Sequence, residues 1–406
     1  MTQTLSEARI YLDWAATTPL CDEAYQAMEP FLAPGLANTA LGMNANSLHS
    51  EGRAAFSAME QARSDIASCI GARSDEIYFT SGATESDNWA LLGLVNAALH
   101  DAQAAGRAIE HPRIIISSIE HEAIEQAAKV LQAQGVAIDY AKPNAAGFIT
   151  PQAVADLLSP DTVLVSVMTA NNEIGAIQPI AAIAQLAHEA GCLMHTDAAQ
   201  ALCKTPFNVD DLGIDAASFS AHKICGPKGM GALYLRRGTS IRPFMVGGGQ
   251  EHGLRSGTQN VVGMVGMAAA VKALCGQPEA FEHELARQRS LRDRLYAGLS
   301  AYEQVTPNVQ CEPGATDYLP NIVSVCVDDL ESESLILRFD MLGFAISGGS
   351  ACSSGSLEPS HVLVQLGVPR DRALGVLRVS LGRYTQESDI EAFLEAFNQV
   401  INWQGE

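Results

Sequence analysis

Between about residues 50 and 240 the apolar positions fall into two alternating patterns. Residues 53–70 repeat apolar side chains at helical spacing and stop at Gly71; residues 76–80 then read as a strand and 84–100 as a helix. A β-branched run at 113–117 is followed by a helix over about 120–134 that Gly135 ends. Residues 162–168 form another apolar run, 179–190 a helix closed by Gly191, and 192–196 a strand; 216–220 and 231–235 follow as strands. Near-continuous apolar strands separated by helices predict a mostly parallel sheet covered on both faces. The pattern changes after Gly247–Gly249. An Ala/Gly-rich helix from about residue 262 leads into a charged amphipathic helix at 279–301 that Pro278 starts. Strands at 321–327 and 377–381 and a last helix at 387–402 predict a smaller α+β unit.

Composition narrows the class. The chain has 406 residues, 47% apolar and 17% charged, enough for a sizeable core. Its formal charge of −21 leaves nothing to neutralise a run of phosphates, so direct nucleic-acid binding is not expected. No apolar run reaches the ~18–20 residues of a membrane span. The first residues carry neither a basic start nor an apolar stretch, and the nine cysteines include no CxxC pair. A cytoplasmic protein with free thiols is the expectation, and no Cys/His spacing supports a zinc site.

The candidate chemistry lies where the strands end, because ligands of an open α/β sheet bind outside the carboxyl ends. Those ends read Ser81-Gly82-Ala83-Thr84-Glu85, Glu120-His121, Asn171-Asn172-Glu173, His195-Thr196-Asp197 and Ser220-Ala221-His222-Lys223. Ala83 and Thr84 open a helix, which is either a plain cap with Glu85 in its first turn or a phosphate site. Asp197 is either a capping carboxylate or a buried one that needs a cation. Lys223 is either a surface residue or a lysine made nucleophilic by desolvation and neighbouring cations. A phosphate site, a buried carboxylate and such a lysine on one rim are what pyridoxal phosphate requires. His121 is either a cap or a group over the ring face.

Far along the chain, residues 347–356 are all small and read as a mobile loop carrying Cys352. The other eight cysteines are expected mostly in cores, whereas Cys352 has no apolar neighbours and reads as a reactive thiol. Arg378 and Arg383 are candidates for a bidentate carboxylate grip, or simply two surface arginines.

Taken in order, these pieces resemble the cysteine desulfurases, pyridoxal-phosphate enzymes of the class V aminotransferase fold. The likeness runs from Tyr11-Leu12-Asp13 and Ala16-Thr17-Thr18-Pro19 through the five strand ends to Asp197-Ala198-Ala199-Gln200, Arg255-Ser256-Gly257-Thr258 and Gly349-Ser350-Ala351-Cys352. The long small-residue loop ending in Leu357-Glu358-Pro359-Ser360 is similar to the branch that serves nitrogenase and general iron–sulfur assembly. The resemblance implies an α/β fold of type I with a mostly parallel seven-stranded sheet. It implies a large domain over residues 15–270, and a small one from 1–14 and 271–406 that carries the cysteine loop.

It also implies roles. Lys223 would carry the cofactor as an imine and move the α-proton. Asp197 would pair the pyridine nitrogen, Gln200 the ring oxygen, and His121 would stack on the ring. Ala83, Thr84, Ser220 and His222 would hold the phosphate, with Thr258 reaching the phosphate of the other subunit of a homodimer. Asn172, Arg378 and Asn44 would bind the substrate L-cysteine, and Cys352 would take its sulfur as a persulfide, release alanine and pass the sulfur to an acceptor such as an iron–sulfur scaffold. The alternatives are a selenocysteine lyase or another class V enzyme, and an inactive accessory relative. Trp14 and Ala45 depart from the residues common in the family. The chain ends 23 residues after Arg383 (406 − 383), shorter than the tail that often meets a scaffold.

Overall fold

The computed structural model describes residues 9–32, 43–107, 109–349 and 358–402. After a short strand, β1 (Ile10–Tyr11), seven strands build the central sheet: β2 (Ile77–Thr80), β3 (Arg113–Ser117), β4 (Ala137–Ala141), β5 (Thr162–Ser166), β6 (Leu193–Asp197), β7 (Ala216–Ser220) and β8 (Gly231–Leu235). Their spatial order is β2-β8-β7-β6-β5-β3-β4, and only β8 runs antiparallel to its neighbours. Successive side chains feed opposite faces, as the strand repeat requires. On β3, Ile114 and Ile116 enter the core under helices Ala83–Ala104 and Glu122–Ala133, while Ile115 enters the larger core shared with helices Ser50–Cys69, Ile180–Glu189 and Val261–Cys275. A sheet buried on both faces explains the uninterrupted apolar runs.

The expected mostly parallel sheet is present, with one strand that the pattern did not announce. β4, Ala-Ile-Asp-Tyr-Ala, is an edge strand whose residues are mostly half-buried, so it lacks the apolar continuity of the inner strands. Past the sheet, helices Val261–Cys275 and Pro278–Leu299 meet at a 77° bend. Among the described residues no single helix is long and apolar enough to cross a membrane.

A second core lies around β9 (Val305–Pro307), β10 (Ile322–Val327), β11 (Phe344–Ala345) and β12 (Val376–Ser380). β12-β10-β9 form an antiparallel sheet, and β1 pairs in parallel with β11. The N-terminal segment thereby returns to the C-terminal part of the chain. Ala15 N–H donates to Ser380 Oγ at 2.9 Å, which brings residues 15–17 to the rim of the central sheet.

Candidate active site

A cleft of about 510 Å³ opens at the carboxyl ends of β2, β3, β5, β6 and β7. Its wall includes Ala83, Thr84, His121, Asn172, Asp197, Gln200, Ser220, His222, Lys223 and Arg378, so ten of the residues singled out by sequence converge on one space. Sequence reasoning gave no role to Ala15, Ala16 and Thr17, which also line it, nor to Lys228 and Gly229 from the loop before β8. The alanines carry no polar side chain to announce them; they act through their carbonyls. Because β8 is antiparallel, its start rather than its end reaches this rim.

Lys223 is held at the turn after β7. Its Nζ donates to the carbonyl oxygens of Ala15 (2.7 Å) and Ala16 (2.8 Å). Gln200 Nε2 donates to the same Ala15 oxygen at 2.9 Å, and Gln200 Oε1 accepts from Lys204 Nζ at 2.6 Å.

Helix Ala83–Ala104 points its first turn at the cleft, where the N–H groups of Ala83 and Thr84 have no intrahelical partner. Glu85 folds back so that its Oε2 accepts from Ser81 N–H at 2.8 Å, and Arg255 pairs with the same carboxylate at 2.7 Å. The first-turn glutamate thus does act as a local cap, beside the free amides. Gly231 permits this approach, since a Cβ there would lie 2.5 Å from Phe219 O and 2.6 Å from Gly82 Cα. Ser220 and His222 close the same corner. His222 Nδ1 lies 3.1 Å from Thr17 Oγ1, and burial together with Lys223, Lys204 and Lys228 pushes its imidazole down to about 4, so it is neutral at ordinary pH.

Deeper in, Asp197 Oδ1 accepts from Ala199 N–H at 2.8 Å. Burial raises its carboxyl above the usual range, opposed by His121, that amide and Lys223. Two further buried carboxyls share this region. Asp87 is pushed well up by burial and then by the Asp197 charge, with Ser218 opposing; His195 Nε2 lies 3.9 Å from its Oδ1. Glu120 is pushed up to about 8 by burial, although Ser117 and the Met168 amide donate to it. His121 caps helix Glu122–Ala133 by accepting Ala123 N–H on Nδ1 at 3.1 Å, which leaves the proton of a neutral ring on Nε2.

Arg378, 1% exposed on β12, forms the opposite wall. Arg383 takes no part in that wall, because its guanidinium forks onto Glu23 at 2.7 and 2.9 Å, outside this cleft. Thr258 and Asn44 are exposed and lie outside the cleft wall of the single chain. Cys352 falls outside the described residues. Of the other cysteines, Cys21, Cys192, Cys225 and Cys326 are buried, whereas Cys69, Cys203, Cys275 and Cys311 are half-buried. Trp14, one of the departures, is buried with Nε1 donating to Tyr11 O, and its ring fills the space beside Gly382 where a Cβ would collide.

The comparisons with known proteins agree with this geometry. The class-V aminotransferase profile matches residues 10–393. A protein of Dictyoglomus turgidum named cysteine desulfurase IscS is 41% identical over 97% of this chain and 94% of its own length. One of Methanosarcina thermophila with the same name is 39% identical over 97% and 92%. Among solved structures, a NifS-like protein superposes with a TM-score of 0.85 at 34% identity, covering 97% of this chain and 99% of that one. A NifS-like protein from Rickettsia africae gives 0.83 at 28% identity, covering 98% and 100%. The chain belongs to the class-V aminotransferases, with pyridoxal-phosphate fold type I, and within them to the cysteine desulfurase family.

Proposed function

We propose that this protein is a cytoplasmic, pyridoxal-phosphate-dependent cysteine desulfurase that converts L-cysteine to L-alanine and retains the sulfur as a persulfide on Cys352. The observation that carries this reading is the convergence of Lys223, Asp197, His121 and Arg378 on one cleft beside the open N-terminus of helix Ala83–Ala104. Relatives that match over nearly the whole length are named cysteine desulfurase.

The side chains suit that cofactor: an amine for its aldehyde, a buried carboxylate for its ring nitrogen, and unpaired amides for its phosphate. When bound, pyridoxal phosphate would supply an electron sink for the substrate's α-carbon. Ala83 and Thr84 N–H, with Ser220 and the neutral His222, would hold the phosphate. Asp197, oriented by Ala199 N–H, would keep the ring nitrogen protonated. Gln200 has one amide hydrogen on Ala15 O and keeps the other for the ring oxygen. His121 would cover the ring face, with its Nε2–H available for proton transfer. Lys223 Nζ would hold the aldehyde and, as an amine, would move the α-proton of the substrate.

Arg378 and Asn172, with Asn44, would hold the substrate. The Arg378 Nε–H is buried without an acceptor among the described residues, a donor suited to a carboxylate. The Cys352 thiolate then attacks the substrate sulfur: an S–S bond forms, the Cβ–S bond breaks, and the electron pair left on carbon is protonated. L-cysteine and one thiol thus give L-alanine and one persulfide, with no outside oxidant or reductant. An acceptor protein of the iron–sulfur scaffold type would receive the sulfur. In the same reading Thr258 serves the phosphate site of the other subunit of a homodimer. The large domain spans 15–270, and the small domain of 1–14 and 271–406 carries the cysteine loop; the separate core around β10 and β12 supports that division.

The test is anaerobic incubation of the purified protein with L-cysteine and a thiol reductant, measuring alanine and sulfide. Wild type is expected to form both in equal amounts and Cys352→Ala neither. Alanine from both proteins would rule out sulfur transfer through Cys352.

A further inference from the structure

Beside Lys223 lies a second cavity of about 40 Å³, large enough for a water molecule, which shares only that residue with the lining of the main cleft. Two lysines line it, Lys223 and Lys204, together with Cys203, Cys225, Asn321 and Arg383. Lys204 is 9% exposed, and its Nζ donates to Gln200 Oε1. No carboxylate among the described residues forms an ion pair with it; the charged or titratable groups around it include Lys223, Cys225, Cys203, Arg378 and His222, while Asp197 and Asp13 face Lys223 with the opposite charge. A buried ammonium without a counter-ion is expensive. The cavity holds one spare acceptor, Asn321 Oδ1, which is buried and lacks a partner among the described residues. The backbone at two of its corners is left-handed: Cys203 and Cys225 each have φ 59°, a conformation uncommon for a residue with a Cβ.

We propose that Lys204 is a positioning residue for Lys223. Through Gln200 it fixes the Ala15 carbonyl that anchors the Lys223 amine, and as a second cation in the same cavity it drives the proton off the Lys223 nitrogen. This rests on the reading of Lys223 as the cofactor lysine. The relay is Lys204 Nζ to Gln200 Oε1, Gln200 Nε2 to Ala15 O, and Ala15 O from Lys223 Nζ, with every link between 2.6 and 2.9 Å. The repulsion is mutual: burial first, and then the Lys223 charge, push the Lys204 amine down to about 7. Two interacting amines on one cavity titrate as a pair. While the Lys223 nitrogen is uncharged, Lys204 meets less opposition to its own charge, and a charged Lys204 opposes protonation of Lys223. A neighbouring cation is a general way to make a lysine nucleophilic.

The test reads the visible absorption of the cofactor-loaded protein against pH, which reports protonation of the nitrogen that joins Lys223 to the aldehyde. Lys204→Met and Lys204→Gln are expected to raise the midpoint by about one pH unit, tenfold in proton affinity, while Lys204→Arg leaves it in place. Two neutral variants are used because one of them can fail to fold. An unmoved midpoint in a folded neutral variant would overturn the proposal, as would an equal shift in Lys204→Arg, which would assign the effect to volume rather than charge. Lys223→Ala separates the two levels. A wild type without the pH-dependent band, or a band that survives Lys223→Ala, defeats the reading of Lys223 itself. A band lost in Lys223→Ala but unmoved in the Lys204 variants defeats only this inference.

Discussion

Arg378 Nη1 donates to the backbone oxygen of Asn172 at 2.9 Å, joining β12 to the loop after β5 across 206 residues of sequence. Arg378 Nη2 donates to Asp13 Oδ1 at 3.0 Å, so a third part of the chain supplies the counter-charge. The guanidinium is therefore fixed before any substrate arrives, and its orientation costs the substrate no ordering.

Replacing Arg378 by Ala should lower kcat/KM for L-cysteine by about 100-fold, the loss of charge-assisted hydrogen bonds worth about 1.5–3 kcal/mol. The effect should fall mainly on KM. Arg378→Lys should recover little of it, because an ammonium cannot fork. Steady-state alanine formation checks both, and an unchanged KM in Arg378→Ala would remove this residue from the substrate site.

Glu120 gives a stability prediction with a definite sign. Burial pushes its carboxyl from the ordinary 4.5 up to about 8, so between those limits the folded chain binds more protons than the unfolded one. Its contribution is complete below about 4.5 and is lost as pH rises through about 8. Glu120→Gln keeps an acceptor for Ser117 Oγ and Met168 N–H and cannot ionise. The urea midpoint of the variant should fall less than that of wild type between pH 5 and 8; parallel curves would show that Glu120 does not titrate in this window.

Gly231→Ala tests the phosphate corner. The new Cβ would meet backbone atoms of Phe219 and Gly82 at 2.5 and 2.6 Å, neither of which can rotate away. Moving the Ser81–Gly82 turn should weaken pyridoxal phosphate binding at least tenfold and cost about 1–3 kcal/mol of stability. Cofactor titration by absorbance and urea unfolding report the two effects. Wild-type values for both would mean that the turn is not held by this contact.

Much of the site was legible because a parallel sheet makes sequence position informative. A polar residue directly after a buried apolar run, as in Asp197 or Lys223, must lie at the carboxyl rim, and rims of adjacent strands face one space. Arg378 and Arg383 were not separable that way. They lie five residues apart around one strand, yet only the former reaches the cleft, because Glu23 captures the latter. Nor does any pattern mark Lys204: it reads as an ordinary residue after a turn, and its burial follows from the packing of Cys203, Cys225 and Leu274 around it.

By itself, then, the sequence determined the alternation of buried strands and helices, the chemistry at each strand end, and the family. These rest on local spacing and on the short range over which a strand hands over to its loop. Only the tertiary structure decided which backbone carbonyls hold Lys223, which carboxyl among Asp87, Glu120 and Asp197 meets cations, and that a second lysine shares a cavity with the first. Those outcomes depend on segments hundreds of residues apart being folded out of water together, where the energy of a charge is set by its neighbours in space rather than along the chain.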